Sequence, residues 1–336
     1  MVTRDVPAEA VSPATLTVAN SADGDFRCRI CGSSAAVSTH TVREMMLGTR
    51  DLFTYAECAG CGCVQLTAPP ADLSRYYPAN YYSFAPPRRR AAPVRWVRAL
   101  RNRGAFAPHP GLWRWLSRLK PYGLEILRRW MRDAGVTEDA RILDVGCGSG
   151  RLLRDLHSAG FRRLTGADPH HDHEISSGEE LRIVRKTIHE LTGPFDLIVF
   201  NHSLEHIVDQ QATLRSVARL LAGSGQCVIR TPVASSFAWE EYREDWVQLD
   251  APRHVVVHSE RSLRRLTEAA GLHLVEAEYD STEFQFAGSE LYRRDLPLPH
   301  LPGAFSRREL RAFRRRAAEL NRLGRGDQAA FRFVKA

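Results

Sequence analysis

No stretch of about 18 consecutive apolar residues occurs in the 336-residue chain, which excludes a transmembrane helix. The first 25 residues lack an apolar core segment and carry Asp5, Glu9, Asp23 and Asp25, so they do not read as a secretory leader. They also lack periodicity and read as a disordered tail. Cysteine is scarce and odd in number, seven in all, and four of the seven fall in two C-x-x-C pairs. That pattern argues against a disulfide scaffold and for a metal site in a reducing, cytoplasmic compartment. Internal repeats are absent too. The composition, 43% hydrophobic and 26% charged, excludes a collagen-like, coiled-coil or fully disordered chain. A uniform excess of one charge is also missing, although the net charge is +8. Residues 88–132 hold thirteen Lys and Arg against Glu125 alone, and 307–325 hold eight Arg against Glu309 and Glu319, which leaves the remainder at about −10. An acidic body with two basic segments is not the footprint of a nucleic-acid binder.

The length fits one catalytic-sized domain plus a smaller module. After the tail (1–25), residues 26–68 carry the cysteine pairs around two β-like pieces, 36–42 and 52–56. A Tyr-rich linker with Tyr76, Tyr77, Tyr81, Tyr82 and Phe84 leads into basic, Trp-bearing helical sequence, the two together spanning 69–132. Peripheral membrane contact through Trp96, Trp113, Trp115 and Trp130 is the weaker reading of that stretch; packing of these rings on the main domain is the stronger. From 133 to 336 short apolar strands alternate with helical periods. Strands are expected at 141–145, 163–167, 181–185, 195–200, 226–231 and 273–279, and helices at 151–159, 211–221 and 259–270. Alternation of this kind implies a parallel sheet covered on both faces. A strand-like run at 330–334 follows a basic helix. If it returns beside the sixth strand, 283–327 is an inserted helical lid.

The chemistry concentrates where the first strand of this domain ends. Asp144-Val145-Gly146-Cys147-Gly148-Ser149-Gly150 is a strand-end carboxylate followed by glycines at alternate positions and then a helix. Strand ends near a topological switch are where ligands bind in open α/β sheets, and glycine lets the backbone turn sharply. The spacing is G-x-G-x-G, not the dinucleotide G-x-G-x-x-G. Asp168 ends the second strand, 18 residues after Gly150, where a carboxylate can accept two hydrogen bonds from a ribose diol.

Asp144 to Gly150, Asp168, the segment Phe195 to Ile207 with its Leu204-Glu205-His206, and the Leu221-Ala222-Gly223-Ser224-Gly225 turn together resemble the class I S-adenosylmethionine-dependent methyltransferases. The run Trp246, Asp250-Ala251-Pro252-Arg253-His254 and Ser259 resembles a subgroup with paired C-x-x-C knuckles and a Tyr-rich linker, many of whose members are associated with sugar or polysaccharide modification. The resemblance implies a Rossmann-like, seven-stranded methyltransferase sheet preceded by a small zinc-ribbon-like module. It implies that Gly146, Gly148 and Gly150, with Cys147, face the methionine part of the cofactor. By the same resemblance Asp168 holds the ribose, Asp144 lies near the cofactor amino group, and Asn201 and His202 border the cofactor at the fourth strand.

Cys28-Arg29-Ile30-Cys31-Gly32 and Cys58-Ala59-Gly60-Cys61-Gly62 share one form. Four thiolates at this spacing make a closed, hence structural, tetrahedral zinc site. Cys63 stands beside the second knuckle as a surplus thiol. The run His170-His171-Asp172-His173 reads as a solvated loop.

Methyl transfer from a sulfonium is an in-line displacement that needs an aligned acceptor and, for a hydroxyl or carbon acid, a base. His206, next to Glu205, is the first choice as base or orienting group, and His254 the second. The expected activity is methylation of a small-molecule acceptor, with a sugar or nucleotide-linked sugar leading; the basic segments suit a phosphate-bearing acceptor. The rivals are an NAD(P)-dependent oxidoreductase or epimerase, which the glycine spacing disfavours, and a catalytically silent zinc-containing scaffold or RNA-binding protein. No nucleic-acid partner is expected, and the sequence leaves the oligomeric state open.

Overall fold

The computed structural model describes residues 26–78, 81, 83, 91–106, 127–128, 131, 135–171, 174–178 and 180–336. Trp113, Trp115, Trp130 and the tail lie outside these residues. Trp96 lies within them and is 63% exposed, so it does not pack on the main domain as expected.

The cysteine-bearing region builds β1 (Ala36–Arg43), β2 (Leu52–Cys58) and β3 (Val64–Leu66). β1 and β2 pair antiparallel, as do β2 and β3. Two strands were expected here. β3 is three residues long, too short to show alternation, and is held by its partners rather than by its own pattern. Helix α1 (Ala92–Phe106) leads to the main domain.

There, β4 (Arg141–Val145) is buried over its last four residues and runs through the glycine loop into α2 (Arg151–Ala159), which presents Leu153, Leu156 and Ala159 to the sheet. β5 (Arg163–Ala167), β6 (Ile175–Ser177), β7 (Leu181–Val184) and β8 (Phe195–Asn201) follow. Helix α3 (Gln210–Leu220) starts at Asp209, whose carboxylate accepts the Ala212 N–H. It gives way at once to β9 (Leu221–Pro232). This strand begins five residues earlier than the Gly-rich sequence implied. Leu221 already pairs with Phe195, and Gly225 lies against the Phe195 carbonyl, where a Cβ would come within 2.9 Å of the oxygen.

Helix α4 (Phe237–Tyr242), strand β10 (Val256–Val257), helix α5 (Glu260–Glu268) and strand β11 (Leu272–Tyr279) come next. α5 is N-capped by Ser259 and stops before Gly271 at φ +74°. The insertion carries α6 (Phe284–Arg293) and α7 (Arg307–Arg322), the latter opened by a Ser306–Glu309 capping box. β12 (Gln328–Lys335) closes the described chain.

The large sheet has the order β11-β12-β9-β8-β4-β5-β7-β6. Strands β4, β5, β7, β8 and β9 are mutually parallel, and β12 is antiparallel between β9 and β11. Seven of these strands make the expected sheet. The eighth, β6, is a three-residue antiparallel edge on β7. A second sheet, β1-β2-β3-β10, joins the two regions, because β10 comes from the main domain and pairs with β3.

The insertion does lie between two neighbouring strands. Within the described residues it packs both on the Phe237–Leu249 stretch of the main domain and on the cysteine-bearing region. Arg43 pairs with Asp295 of the insertion at 2.5 Å and with Asp245 of the main domain at 2.7 Å. The Leu298 N–H donates to the Met45 carbonyl, and Phe286, Leu291 and Tyr292 share a core with Val42, Met45 and Tyr55. It thereby bridges the two regions.

Candidate active site

At the carboxyl ends of β4 and β5 two buried carboxylates stand side by side. Asp144 is 2% exposed and Asp168 5%. Asp168 accepts the Gly148 N–H at 2.8 Å and the His170 N–H at 2.9 Å, so it is oriented by backbone and still has lone pairs for a diol. Burial, with the neighbouring Asp168 charge, pushes the Asp144 carboxyl up to about 8.

Gly146, Gly148 and Gly150 have φ of +69°, +48° and +70°. Their missing side chains are also required by the protein itself. A Cβ at Gly146 would come within 2.5 Å of Ser203, at Gly148 within 2.6 Å of the Ser83 carbonyl, and at Gly150 within 2.2 Å of Ile183. The linker therefore crosses the loop, and the Ser83 carbonyl accepts the Ser149 N–H at 2.8 Å. Cys147 is half-buried; burial raises its thiol well above the usual range, so it is a neutral packing group beside Gly166.

Across β8 the loop Asn201–Ile207 brings the imidazoles together. Asn201 is exposed, with its side-chain oxygen toward Arg230. His202 takes φ +55° and its Nδ1 lies 3.3 Å from Glu205 Oε1. Glu205 is fully buried, and the Thr231 hydroxyl donates to its other oxygen at 3.1 Å. Burial alone would raise this carboxyl, but the His202 hydrogen bond and the His202, His254 and His206 imidazoles outweigh it and hold it at about 2.

The His206 and His254 rings meet edge to face with centroids 4.7 Å apart. The binding atoms of Glu205, His206 and His254 all lie within 4.8 Å of one another. His206 Nδ1 is 2.9 Å from the Arg253 carbonyl, and His254 Nδ1 is 2.7 Å from the Gln248 carbonyl. A carbonyl only accepts, so each Nδ1 carries the hydrogen and each Nε2 keeps its lone pair. Burial, then the neighbouring His254 imidazole, pushes His206 down to about 4, while Glu205 and Asp250 oppose the shift. The ring is neutral at pH 7 and free to accept a proton.

Sequence reasoning missed three partners of this centre. The Tyr77 hydroxyl is 3.1 Å from His206 Nδ1. The Arg253 side chain is fully buried and donates to both oxygens of Asp250, at 2.7 and 3.0 Å, and to Glu44 at 2.8 Å. Glu44 itself comes from the cysteine-bearing region. Arg253 and Tyr77 stood in noted stretches, but nothing local marks either as a neighbour of His206.

In the cysteine-bearing region the Sγ atoms of Cys28, Cys31, Cys58 and Cys61 converge within 4.8 Å, with Cys28–Cys61 at 3.6 Å and Cys31–Cys58 at 3.5 Å. The edge of a zinc–thiolate tetrahedron is about 3.8 Å, given Zn–S near 2.3 Å. Backbone N–H groups of Ile30 and Cys31 face the Cys28 sulfur, and those of Ser33 and Cys63 face Cys31 and Cys61. Cys63 lies 3.6 Å from Cys28 and 3.5 Å from Cys61, against one side of the set. The donor set fits a tetrahedral thiophilic cation.

A family model described as a methyltransferase domain matches residues 102–277, and the chain belongs to that family. Two relatives, both named ubiquinone biosynthesis O-methyltransferase, come from Caulobacter sp. (strain K31) and Xanthomonas axonopodis pv. citri (strain 306). The first is 32% identical over 148 residues, 38% of this chain, and the second 31% over 138 residues, 37% of this chain. In each case the chain spans 56% of the relative's length. Among solved structures, the 1,6-didemethyltoxoflavin-N1-methyltransferase of Burkholderia thailandensis is similar at 17% identity with a TM-score of 0.40, over 84% of this chain and 95% of that one.

Proposed function

We propose that the protein transfers a methyl group from S-adenosylmethionine to a small-molecule acceptor. The observation that carries this reading is one sheet edge with two faces of different chemistry. Asp144 and Asp168 border the glycine loop, and His206 and His254 stand next along the sheet with Nε2 lone pairs free. Asp168 is the ribose ligand and Asp144 the partner of the cofactor ammonium, with Gly146, Cys147, Gly148, Gly150, Asn201 and His202 shaping the surrounding wall. The bound cofactor supplies an electrophilic methyl on a sulfonium. The protein aligns the acceptor and takes its proton at His206 Nε2, and Glu205 and Asp250 stabilise the imidazolium that forms. His254 is the second imidazole of that centre.

A sugar or nucleotide-linked sugar is the acceptor we favour. Cys28, Cys31, Cys58 and Cys61, all buried but the half-buried Cys31, hold a structural zinc with no position left for water. Action on a soluble, cytoplasmic acceptor accords with the reduced cysteines and with the lack, among the described residues, of any helix long and apolar enough to cross a membrane.

Calorimetry with S-adenosylmethionine tests the cofactor site. Asp168→Ala should weaken binding by about 1.5–3 kcal/mol through loss of charge-assisted hydrogen bonds. Wild-type affinity in that variant removes the assignment. Mass spectrometry of a metabolite pool incubated with the enzyme and labelled cofactor identifies the acceptor; a methylated product that is not a sugar would remove the sugar reading.

A further inference from the structure

The guanidinium of Arg253 joins three segments that are distant in sequence. It is fully buried. Its Nε and Nη2 donate to Asp250 on its own loop, Nη2 also donates to Glu44 Oε1 at 2.8 Å, and Nη1 donates to the Tyr76 carbonyl at 3.3 Å. Glu44 is equally buried and equally committed. Its two oxygens accept the N–H groups of Leu47, Gly48 and Thr49 at 2.8–3.0 Å, which fixes the carboxylate before it meets Arg253. Two carboxylates against one guanidinium in a dry site form a rigid, directional lock, because a buried charge left unpaired is costly. The backbone of the same Arg253 carries the carbonyl that accepts the His206 Nδ1 hydrogen, and the next residue is His254.

We propose that Glu44, in the cysteine-bearing region, is a positioning residue of the acid–base centre: by holding the Arg253 side chain it places the Arg253 carbonyl that keeps His206 in the Nδ1–H form. The inference rests on the reading of His206 as the base. Its consequence is that the N-terminal region completes the centre, and the main domain alone presents His206 with its lone pair unassigned. Other groups face the ring as well. Glu205 precedes it in the chain, His254 packs on its edge, Asp250 acts through space, and Tyr77 reaches Nδ1 with its hydroxyl. None of these is an acceptor that only accepts and lies at Nδ1, so the Arg253 carbonyl decides the tautomer.

The test is long-range proton–nitrogen NMR on the full chain with labelled histidine, the His206 signals being assigned by their loss in His206→Gln. At pH 7 the wild type should show protonated Nδ1 and unprotonated Nε2 at His206. In Glu44→Gln the amide oxygen stays with the Gly48 and Thr49 N–H groups, and the NH2 takes the place of the oxygen that met Arg253 and the Leu47 N–H. His206 should then pass to a mixture in which the Nε2–H form exceeds half, while S-adenosylmethionine affinity stays within about twofold, since Asp144 and Asp168 are untouched. A folded Glu44→Gln protein with the wild-type His206 pattern overturns the proposal, and so does an Nε2–H pattern in the wild type. If Glu44→Gln does not fold, Glu44→Asp, which keeps the charge and shortens the reach, is read the same way. Unfolding of both would make Glu44 a core residue only and also overturn the proposal. Failure of the wild type to bind S-adenosylmethionine would count against the methyltransferase reading and leave the tautomer result standing.

Discussion

Cofactor binding should expel a proton from Asp144. In the free protein burial and the Asp168 charge push this carboxyl up to about 8. At pH 7 about nine molecules in ten therefore carry the proton. An ammonium group brought beside it reverses the balance, since an opposite charge in a dry site favours the ionised acid. If the bound-state value falls well below the working range, about 0.9 proton leaves per cofactor bound at pH 7. The affinity then rises with pH by about tenfold per unit below 8, or roughly 30-fold from pH 5.5 to 7.0. The range stops there because an α-amino group itself titrates near 7.7–8.0. Calorimetry at pH 7 in two buffers of different ionisation enthalpy measures the released proton directly. Asp144→Asn should abolish the buffer dependence and flatten the pH profile. Equal heats in both buffers for the wild type would falsify the placement of Asp144 against the cofactor cation.

His206→Ala should lower turnover by about 10²–10⁴ on the identified acceptor with little change in cofactor affinity. Because the wild-type ring sits at about 4, the acidic limb of its kcat/KM profile belongs near pH 4 rather than near 6.5, and it should vanish in the variant. Elemental analysis should find one zinc per chain in the wild type and none in Cys58→Ser. His258 is buried, held by Gln210 at 2.8 Å and Ser262 at 3.0 Å, and burial pushes it down to about 4. The unfolded chain thus binds the extra proton between pH 6.5 and 4, so this residue's stabilisation is full above 6.5 and declines as pH falls, by on the order of 3 kcal/mol in total. Denaturant melts at pH 7 and pH 4.5 should show a smaller loss in His258→Gln; an identical loss would place the acid sensitivity elsewhere.

What could be read from the chain was whatever is written within one turn or one strand. Asp144-Val145-Gly146 announces a strand end, and Ser259 with Gly271 brackets α5, because caps and glycine stops act on their immediate neighbours. The C-x-x-C pairs are legible for the same reason. Pairings made across the chain leave no local trace. β10 has two residues and exists only because β3 accepts it. Arg253 reaches Glu44 across 209 positions, and Tyr77 reaches His206 across 129. The insertion could be placed between two strands, yet its direction was open. Its contacts with the cysteine-bearing region, Asp295 with Arg43 and Leu298 with the Met45 carbonyl, are made with partners far back in the chain.

These long connections also explain why a region with a metal site of its own is not a separate body. Cys28, Ile30, Cys58, Cys61 and Cys63 belong to the same apolar cluster as Phe200, Leu263 and Phe333 of the main domain. The Ser259 hydroxyl donates to the Cys61 carbonyl at 2.5 Å while its oxygen also accepts the Ser262 N–H that starts α5. Between Arg253 and Ser259 the chain is therefore tied at one end by Glu44, in its middle by β3, and at the other end by the second cysteine knuckle. His254 lies inside that tied stretch, whereas Asp168, just after β5, takes its hydrogen bonds from the Gly148 and His170 N–H groups of the main domain. Loosening the cysteine set should thus reach the acceptor side of the centre before the cofactor side.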